Sequence, residues 1–225
     1  MLSIVIPTLD AGRSLVACLA AILPADELIV VDGGSSDDSV AIAHAAGATV
    51  VEAAAGRGAQ LGAGAAAASG EWLLFVHADT ILAAGWREAV ALHVTRYPQA
   101  AGYFAFGLDD RAWQARLIEQ AVAVRGAALR LPYGDQGLLI SRAHYDAVGG
   151  FRPMPLMEDV DLVRRIGRRR LRPLPATALT SADRWRRDGW CRRSLRNLAC
   201  IGLYLLGGSP AWIAHLYRST PAARP

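Results

Sequence analysis

Short apolar runs alternate with amphipathic stretches through the first third of the chain. Ser3–Ile6 (SIVI) and Leu28–Val31 (LIVV) are compact and rich in β-branched residues, the pattern of parallel strands buried on both faces. Between them, Arg13–Leu23 places Leu15, Leu19, Ile22 and Leu23 on one helical face. GGSSDDS follows the second run. Ser36 is the expected N-cap there, with Asp37 and Asp38 complementing the dipole of a helix over Ser39–Ala46 that stops at Gly47. Thr49–Glu52 predicts a third strand, Gln60–Ser69 a third helix ending at Gly70, and Trp72–Val76 (WLLFV) a fourth strand. This β-α-β-α-β-α-β order within 76 residues predicts an α/β fold, an open sheet with right-handed crossovers.

Beyond Val76 the rhythm changes. Trp86–Tyr97 reads as a helix, Gly102–Leu108 as a strand and Arg111–Arg130 as a long helix. Gly137–Ser141 predicts a strand, Arg142–Val148 a short helix, Gly149–Gly150 a turn and Asp159–Arg169 a helix. Leu171–Leu174 predicts a short edge strand, because Pro173 has no N–H for a central ladder. No internal repeat is visible, and AAAGRGAQLGAGAAAAS is biased in composition yet patterned.

Of 225 residues, 53% are hydrophobic and 20% charged, too apolar for a disordered chain and enough for one generous domain with a full core. Residues 1–185 read as the sheet domain and 186–225 as a basic, apolar helical appendage. Cys18, Cys191 and Cys200 are scattered and odd in number, which excludes a disulfide scaffold or a Cys/His metal module. Reduced thiols in a cytoplasmic protein are the simplest reading. All 24 basic residues are arginine. Without lysine, neither Schiff-base chemistry nor a P-loop is available, and every cationic role falls to guanidinium, which suits phosphate and carboxylate. Residues 1–150 hold 9 arginines and 15 acids, a net of −6; residues 151–225 hold 15 arginines and 5 acids, a net of +10. A basic C-terminal third either meets something anionic or is a solvated face.

MLSIVIPTLDAG lacks the basic start of a signal peptide, and its apolar run stops at Pro7. Leu198–Leu206 is nine residues, ~13 Å of helix against a hydrocarbon core of about 30 Å. Gly207–Pro210 then breaks it, so no spanning helix is expected. The arginines from Arg184 to Arg196 with this apolar run suit either a packed C-terminal helix or a peripheral contact with the inner face of an anionic membrane.

Open α/β sheets bind ligands beyond the carboxyl ends of their strands. Strand one ends in Pro7-Thr8-Leu9-Asp10, strand two in Asp32-Gly33-Gly34-Ser35 and strand four in His77-Ala78-Asp79, so three strands each deliver a carboxylate to one rim. No GxGxxG follows strand one, and neither HExxH nor GxSxG is present, which disfavours a dinucleotide site, a zincin and a serine hydrolase. A nucleotide pocket built from carboxylates needs a divalent cation to hold a pyrophosphate.

Taken in order, IPTLDAG, LIVVDGGSSDDS, GRGAQLGAGAAAASGEWLLFVHADT, YGDQGLLISRAHYDAVGGF and MEDVDLVRRI resemble a family-2 glycosyltransferase of the GT-A fold, from about Ser3 to Trp185. The small size and the pairing of HAD with YGDQG and MED resemble the bacterial branch often labelled arsenosugar-biosynthesis glycosyltransferase. The resemblance implies a metal-dependent, inverting transfer of a sugar from a UDP- or GDP-sugar to an acceptor hydroxyl.

It also implies residue roles. Asp32 would accept hydrogen bonds from the base or ribose, its plain alternative being a helix cap. Pro7, Thr8 and Asp10 would line the nucleoside, Asp10 standing where relatives carry Asn or Glu. His77-Ala78-Asp79 matches the Asp-x-Asp metal motif with His in place of the first Asp; Asp79 would ligate Mg2+ or Mn2+, with His77 on the metal or on a phosphate and Ala78 beside the nucleotide. Arg57 and Gln60 at a helix start would suit a phosphate. Asp159, with Glu158 as runner-up, would be the general base. Asp161 lies about 200° round the helix and falls outside the pair. Asp135 and Gln136 match an acceptor-side loop. Arg184 and Trp185 resemble part of Gln-x-x-Arg-Trp, with Ser181 replacing the Gln; they would meet diphosphate and sugar, or be surface and core.

Three rivals stand beside this reading. A nucleotidyltransferase wants a Gly-rich basic loop after strand one, for which only Gly12-Arg13 is present. An Arg-rich nucleic-acid-binding module leaves the three strand-end acids unexplained, so no nucleic-acid partner is expected. A non-catalytic sugar-nucleotide binder has no use for the full acid set.

Overall fold

The computed structural model describes residues 1–219. Strands β1 (Leu2–Thr8), β2 (Glu27–Asp32), β3 (Thr49–Glu52) and β4 (Trp72–Phe75) run parallel, joined by helices α1 (Gly12–Ile22), α2 (Ser39–Ala45) and α3 (Arg57–Ala67). Then come β5 (Thr80–Leu82), α4 (Trp86–Arg96), β6 (Ala101–Leu108), α5 (Trp113–Leu129), β7 (Leu138–Ser141) and α6 (Arg142–Ala147). The chain ends in α7 (Glu158–Ile166), β8 (Leu171–Thr180), α8 (Asp183–Asp188), α9 (Trp190–Leu205) and α10 (Pro210–Ser219). The eight strands form one sheet in the order β3-β2-β1-β4-β7-β6-β8-β5. Four of its seven neighbouring pairs are parallel. The antiparallel pairs are β4–β7, β7–β6 and β8–β5.

The sheet is buried on both faces, and strand periodicity divides the core in two. Ile4 and Ile6 pack with Leu15, Leu19 and Ile22 of α1, while Val5 between them packs with Leu61 and Ala65 of α3 and Leu162 of α7. β2 divides likewise, Leu28 and Val30 on one side and Ile29 and Val31 on the other. Helix α3 sits unusually close to the sheet: a Cβ added at Gly64 would collide with the methyls of Val5 and Val31.

Three local expectations change. Ser36 does not cap α2; the N-cap is Asp38, and Ser36 instead donates to Asp10. The strand starting at Leu171 runs ten residues rather than four. Strand β5 pairs only with Ala178–Thr180, so Pro173 lies where β8 has β6 alone beside it and its missing N–H is harmless. The helix expected over Asp159–Arg169 stops at Ile166, because Gly167 turns with φ 81°.

The expected boundary after Trp185 falls inside α8. Helices α9 and α10 form a hairpin whose Cys200 and Ile213 pack on Met157 and Val160 at the start of α7. Its anchor is the buried carboxylate of Asp188, which accepts from Arg193 (2.7 Å), Arg196 (2.8 Å) and Arg187 (3.0 Å). Burial pushes this carboxyl's pKa up, and the three guanidinium bonds outweigh it and hold the value at about 2. Among the described residues, no helix is long and apolar enough to cross a membrane.

Two stability predictions follow from this packing. Gly64→Ala destabilises by roughly 1–3 kcal/mol in chemical denaturation, although alanine is the better helix former, because overpacking outweighs propensity. A folded pKa depressed at Asp188 means its contribution is complete above the ordinary carboxylate value and is lost as pH falls through about 2. Acid titration followed by circular dichroism therefore shows a low-pH loosening. Asp188→Asn removes that dependence and lowers neutral-pH stability by about 3 kcal/mol, by leaving buried guanidinium groups unmatched.

Candidate active site

The carboxyl ends of β1, β2 and β4 lie on one edge of the sheet, with Thr8 in register with Asp32. The loops after β1 and β2 are sewn together by their own side chains. Asp32 is 4% exposed; its carboxylate accepts from the N–H groups of Gly34 and Ser35, each at 2.9 Å, and from the Ser35 hydroxyl. It shapes this turn and caps no helix. Asp10, held at φ 47°, accepts from the Ser36 N–H at 2.8 Å, and its own N–H donates to Ser35 Oγ at 2.9 Å. Asp37 bridges the same loops by accepting from Gly12 N at 2.9 Å and from Ser39. Pro7 and Thr8 are buried beneath them.

Gln60 does not face a phosphate. Its amide turns under the strand ends, where Nε2 donates to the carbonyls of Thr8 (2.8 Å) and Val31 (2.9 Å). Gln136 is likewise 3% exposed, donating to Phe104 O at 3.0 Å and accepting from Tyr133 N at 3.3 Å. Both amides brace loops rather than present themselves to a ligand. Ala78 is in the core, so only its backbone borders the rim.

The centre forms where the segment after β4 meets the start of α7. His77 Nδ1 lies 3.2 Å from Asp135 Oδ1. The Gly134 N–H donates to Asp159 Oδ2 at 2.6 Å, and Val160 N donates to Asp159 Oδ1 at 2.7 Å. A Cβ at Gly134 would sit 2.7 Å from His77 Nε2 and 3.2 Å from Asp159 Oδ2, so only glycine lets these two side chains close on the loop. Together they line a cavity of about 20 Å³ walled by Phe75, Phe151 and Tyr133, room for about one water. Arg184 reaches in from α8, its Nη2 3.9 Å from Asp79 Oδ2.

Arg57, first residue of α3, lies with Nε 2.7 Å from Glu158 Oε1. Glu158 is 1% exposed. Burial raises its pKa, and the Asp159 charge adds to this against the pull of Arg57. The approach is off-axis, so Oε1 makes no well-formed hydrogen bond despite the short distance. Desolvation opposes the charge on Arg57, yet Glu158, Asp159 and Asp135 together hold its pKa above the usual value. At Asp135, burial pushes upward, but the His77 hydrogen bond and charge, then Arg57 and Arg184, keep the carboxyl well below the ordinary range.

Trp185 does not present its ring to a sugar. It is 6% exposed and packs with Leu108, Ala115 and Ala182, under Arg193 at 5.1 Å from its centroid. Asp161 faces away from Asp159, as the helical spacing predicts, and binds Arg165 at 2.7 Å. Two contributors are invisible in the sequence. Arg125 stacks on Tyr133 at 3.4 Å, stiffening the loop that carries Gly134, and nothing in its helical context marks it. The Cys18 thiol of α1 donates to the His77 carbonyl at 3.5 Å, its pKa pushed up to about 12 by burial and by Asp79.

A divalent cation fits these donors only in company with a ligand. Asp79 offers a carboxylate engaged by one long ion pair, with the His77 imidazole two residues before it. Among the described residues, no three His, Cys, Asp or Glu side chains are grouped as a ready-made metal site. That suits a hard ion whose remaining ligands are phosphate oxygens and water.

Fold and rim together define a glycosyltransferase domain of GT-A type. The chain belongs to glycosyl transferase family 2, whose model matches residues 3–156. Among solved structures, residues 1–349 of TarS from S. aureus align with a TM-score of 0.64 at 16% identity, over 80% of this chain and 60% of that one. Glucosyl-3-phosphoglycerate synthase from Mycobacterium tuberculosis, in complex with Mn2+, UDP and glucosyl-3-phosphoglycerate, gives 0.56 at 22% identity, over 80% of this chain and 70% of that one. A mycobacterial protein gives 0.57 at 26% identity, over 80% and 65%. This chain therefore spans 60% of the TarS fragment, and the likeness to it and to the synthase is one of fold. A search of curated proteins finds no match.

The ion pair at the centre is testable by a double-mutant cycle. Arg57→Ala strands Glu158 and costs about 3 kcal/mol in denaturant unfolding. Adding Glu158→Gln recovers most of that loss, because an amide needs no counter-charge.

Proposed function

We propose that the chain transfers a sugar, with inversion, from a nucleoside-diphosphate donor, UDP- or GDP-linked, to an acceptor hydroxyl. The observation that carries the reading is the meeting of Asp159, His77 and Asp135 around Gly134, next to Asp79 and Arg184. Neighbours of the same fold that were crystallised with UDP and Mn2+ or Mg2+ support it.

The loops ordered by Asp10 and Asp32 form the nucleoside end. Asp79, with His77 beside it, is assigned a Mg2+ or Mn2+ ion, which supplies positive charge against the departing diphosphate. Arg184 adds a half-exposed guanidinium on the same side. Asp159 is the general base rather than Glu158, which is shut under Arg57 with its pKa raised by burial. Asp159 accepts the acceptor's hydroxyl proton as that oxygen bonds to C1 and the C1–phosphate oxygen bond breaks; the electron pair leaves with the nucleoside diphosphate. The Gly134 N–H fixes one oxygen of the base, and Asp135 orients His77. The pairing of HAD with YGDQG and MED supports, on this reading, membership of the bacterial arsenosugar-biosynthesis branch.

A thermal-shift panel of nucleoside diphosphates with and without Mn2+ tests the donor half, where binding at a hundredfold excess adds about 2.7 kcal/mol. Asp79→Ala abolishes the Mn2+-dependent part of the shift. Asp159→Asn keeps the shift and loses turnover by roughly 10²–10⁴-fold. Unchanged turnover in that variant would remove the base assignment, and a flat panel would remove the donor.

A further inference from the structure

The C-terminal hairpin has its polarity turned inside out. A helix packed on a soluble domain normally hides its apolar stripe and exposes its charges. In α9 the guanidinium of Arg193 is buried, and that of Arg196 nearly so, both on Asp188. Meanwhile Leu195 is 66% exposed, Leu198 60% and Leu205 45%; Leu206, just beyond the helix, is 88% exposed and Trp212 of α10 51%. With Cys191, these α9 positions are spaced four, three and seven residues apart and so mark one outward stripe. Among the described residues, nothing covers it.

The surroundings are cationic. Of the six arginines in residues 183–217, Arg193 and Arg196 are buried on Asp188, and Arg184 and Arg186 face Asp79, Asp109 and Asp110; the exposed Arg187 and the half-buried Arg192 supply cationic charge beside the stripe. Exposed Arg164 of α7 stands 5.8 Å from the Tyr204 ring of α9, adding charge at the hairpin's flank. A second copy of this chain, docking the same face against itself, would bring these cations together. Anionic headgroups complement them, and acyl chains take the leucines. Helix α9, ~24 Å long, lies along such a surface without crossing it.

We infer that the outer face of the α9–α10 hairpin docks the protein on an anionic lipid membrane. The inference does not rest on the proposed reaction. The test is flotation of the full chain with vesicles of phosphatidylcholine alone or mixed with phosphatidylglycerol. The protein floats with the mixed vesicles and stays behind with the neutral ones, and added salt weakens binding. Leu195→Ser with Leu198→Ser reduces binding by roughly tenfold or more. Arg164→Glu also reduces it. These side chains are exposed, so the thermal melts stay at the wild-type value. No flotation with mixed vesicles, or equal flotation with neutral ones, overturns the inference. So does a soluble dimer that the leucine substitutions dissolve.

Discussion

A carboxylate almost wholly out of water has to be matched by a cation, and the Arg57–Glu158 pair is where this fold meets that demand. Its two residues open helices from different halves of the molecule. Arg57 begins α3, in the crossover between β3 and β4; Glu158 begins α7, after the antiparallel strand β7. Joining them fixes where α7 starts. That start decides the direction of the next side chain, Asp159, which meets the Gly134 N–H and closes beside His77. Removing water from one acid thus sets the position of its neighbour, which keeps contact with the cavity.

The same logic explains how much was legible in the chain. Strands β1 and β2 are buried on both faces, so their apolar runs announced them within a residue or two. The glycines and aspartates at their ends marked the rim for the same reason. What stayed hidden was long-range. The three residues of β5 carry no periodicity and become a strand only by pairing with Ala178–Thr180. Gln60 and Gln136 look like ligand-binding amides until the carbonyls of Thr8, Val31 and Phe104 are brought within reach. Trp185 carries the same letter whether it stacks on a sugar or fills a gap beside Leu108. The Arg125–Tyr133 stack joins a helix to a loop eight residues on, and no sequence spacing encodes it.

Arginine does nearly all of the charged work, and in different ways. Arg57 and Arg193 are held by single buried acids; Arg184 is 55% exposed and only loosely tied to Asp79. The planar group serves both uses because it is weakly hydrated and forks its donors. A chain without lysine therefore still has both tightly paired and loosely paired cations, distinguished by the acids around them.

Strand β4 has a parallel neighbour on one side and an antiparallel one on the other. The two halves of the sheet are stitched by a single ladder, from Trp72 opposite Ser141 to Phe75 opposite Leu138. Each half can drift in what it recognises so long as that short seam, and the Arg57–Glu158 pair that crosses it, keep their alignment. Chimaeras assembled from relatives would best be joined there, with the residues just past Phe75 taken from whichever parent supplies Asp135 and Asp159, since those are the side chains His77 must fit.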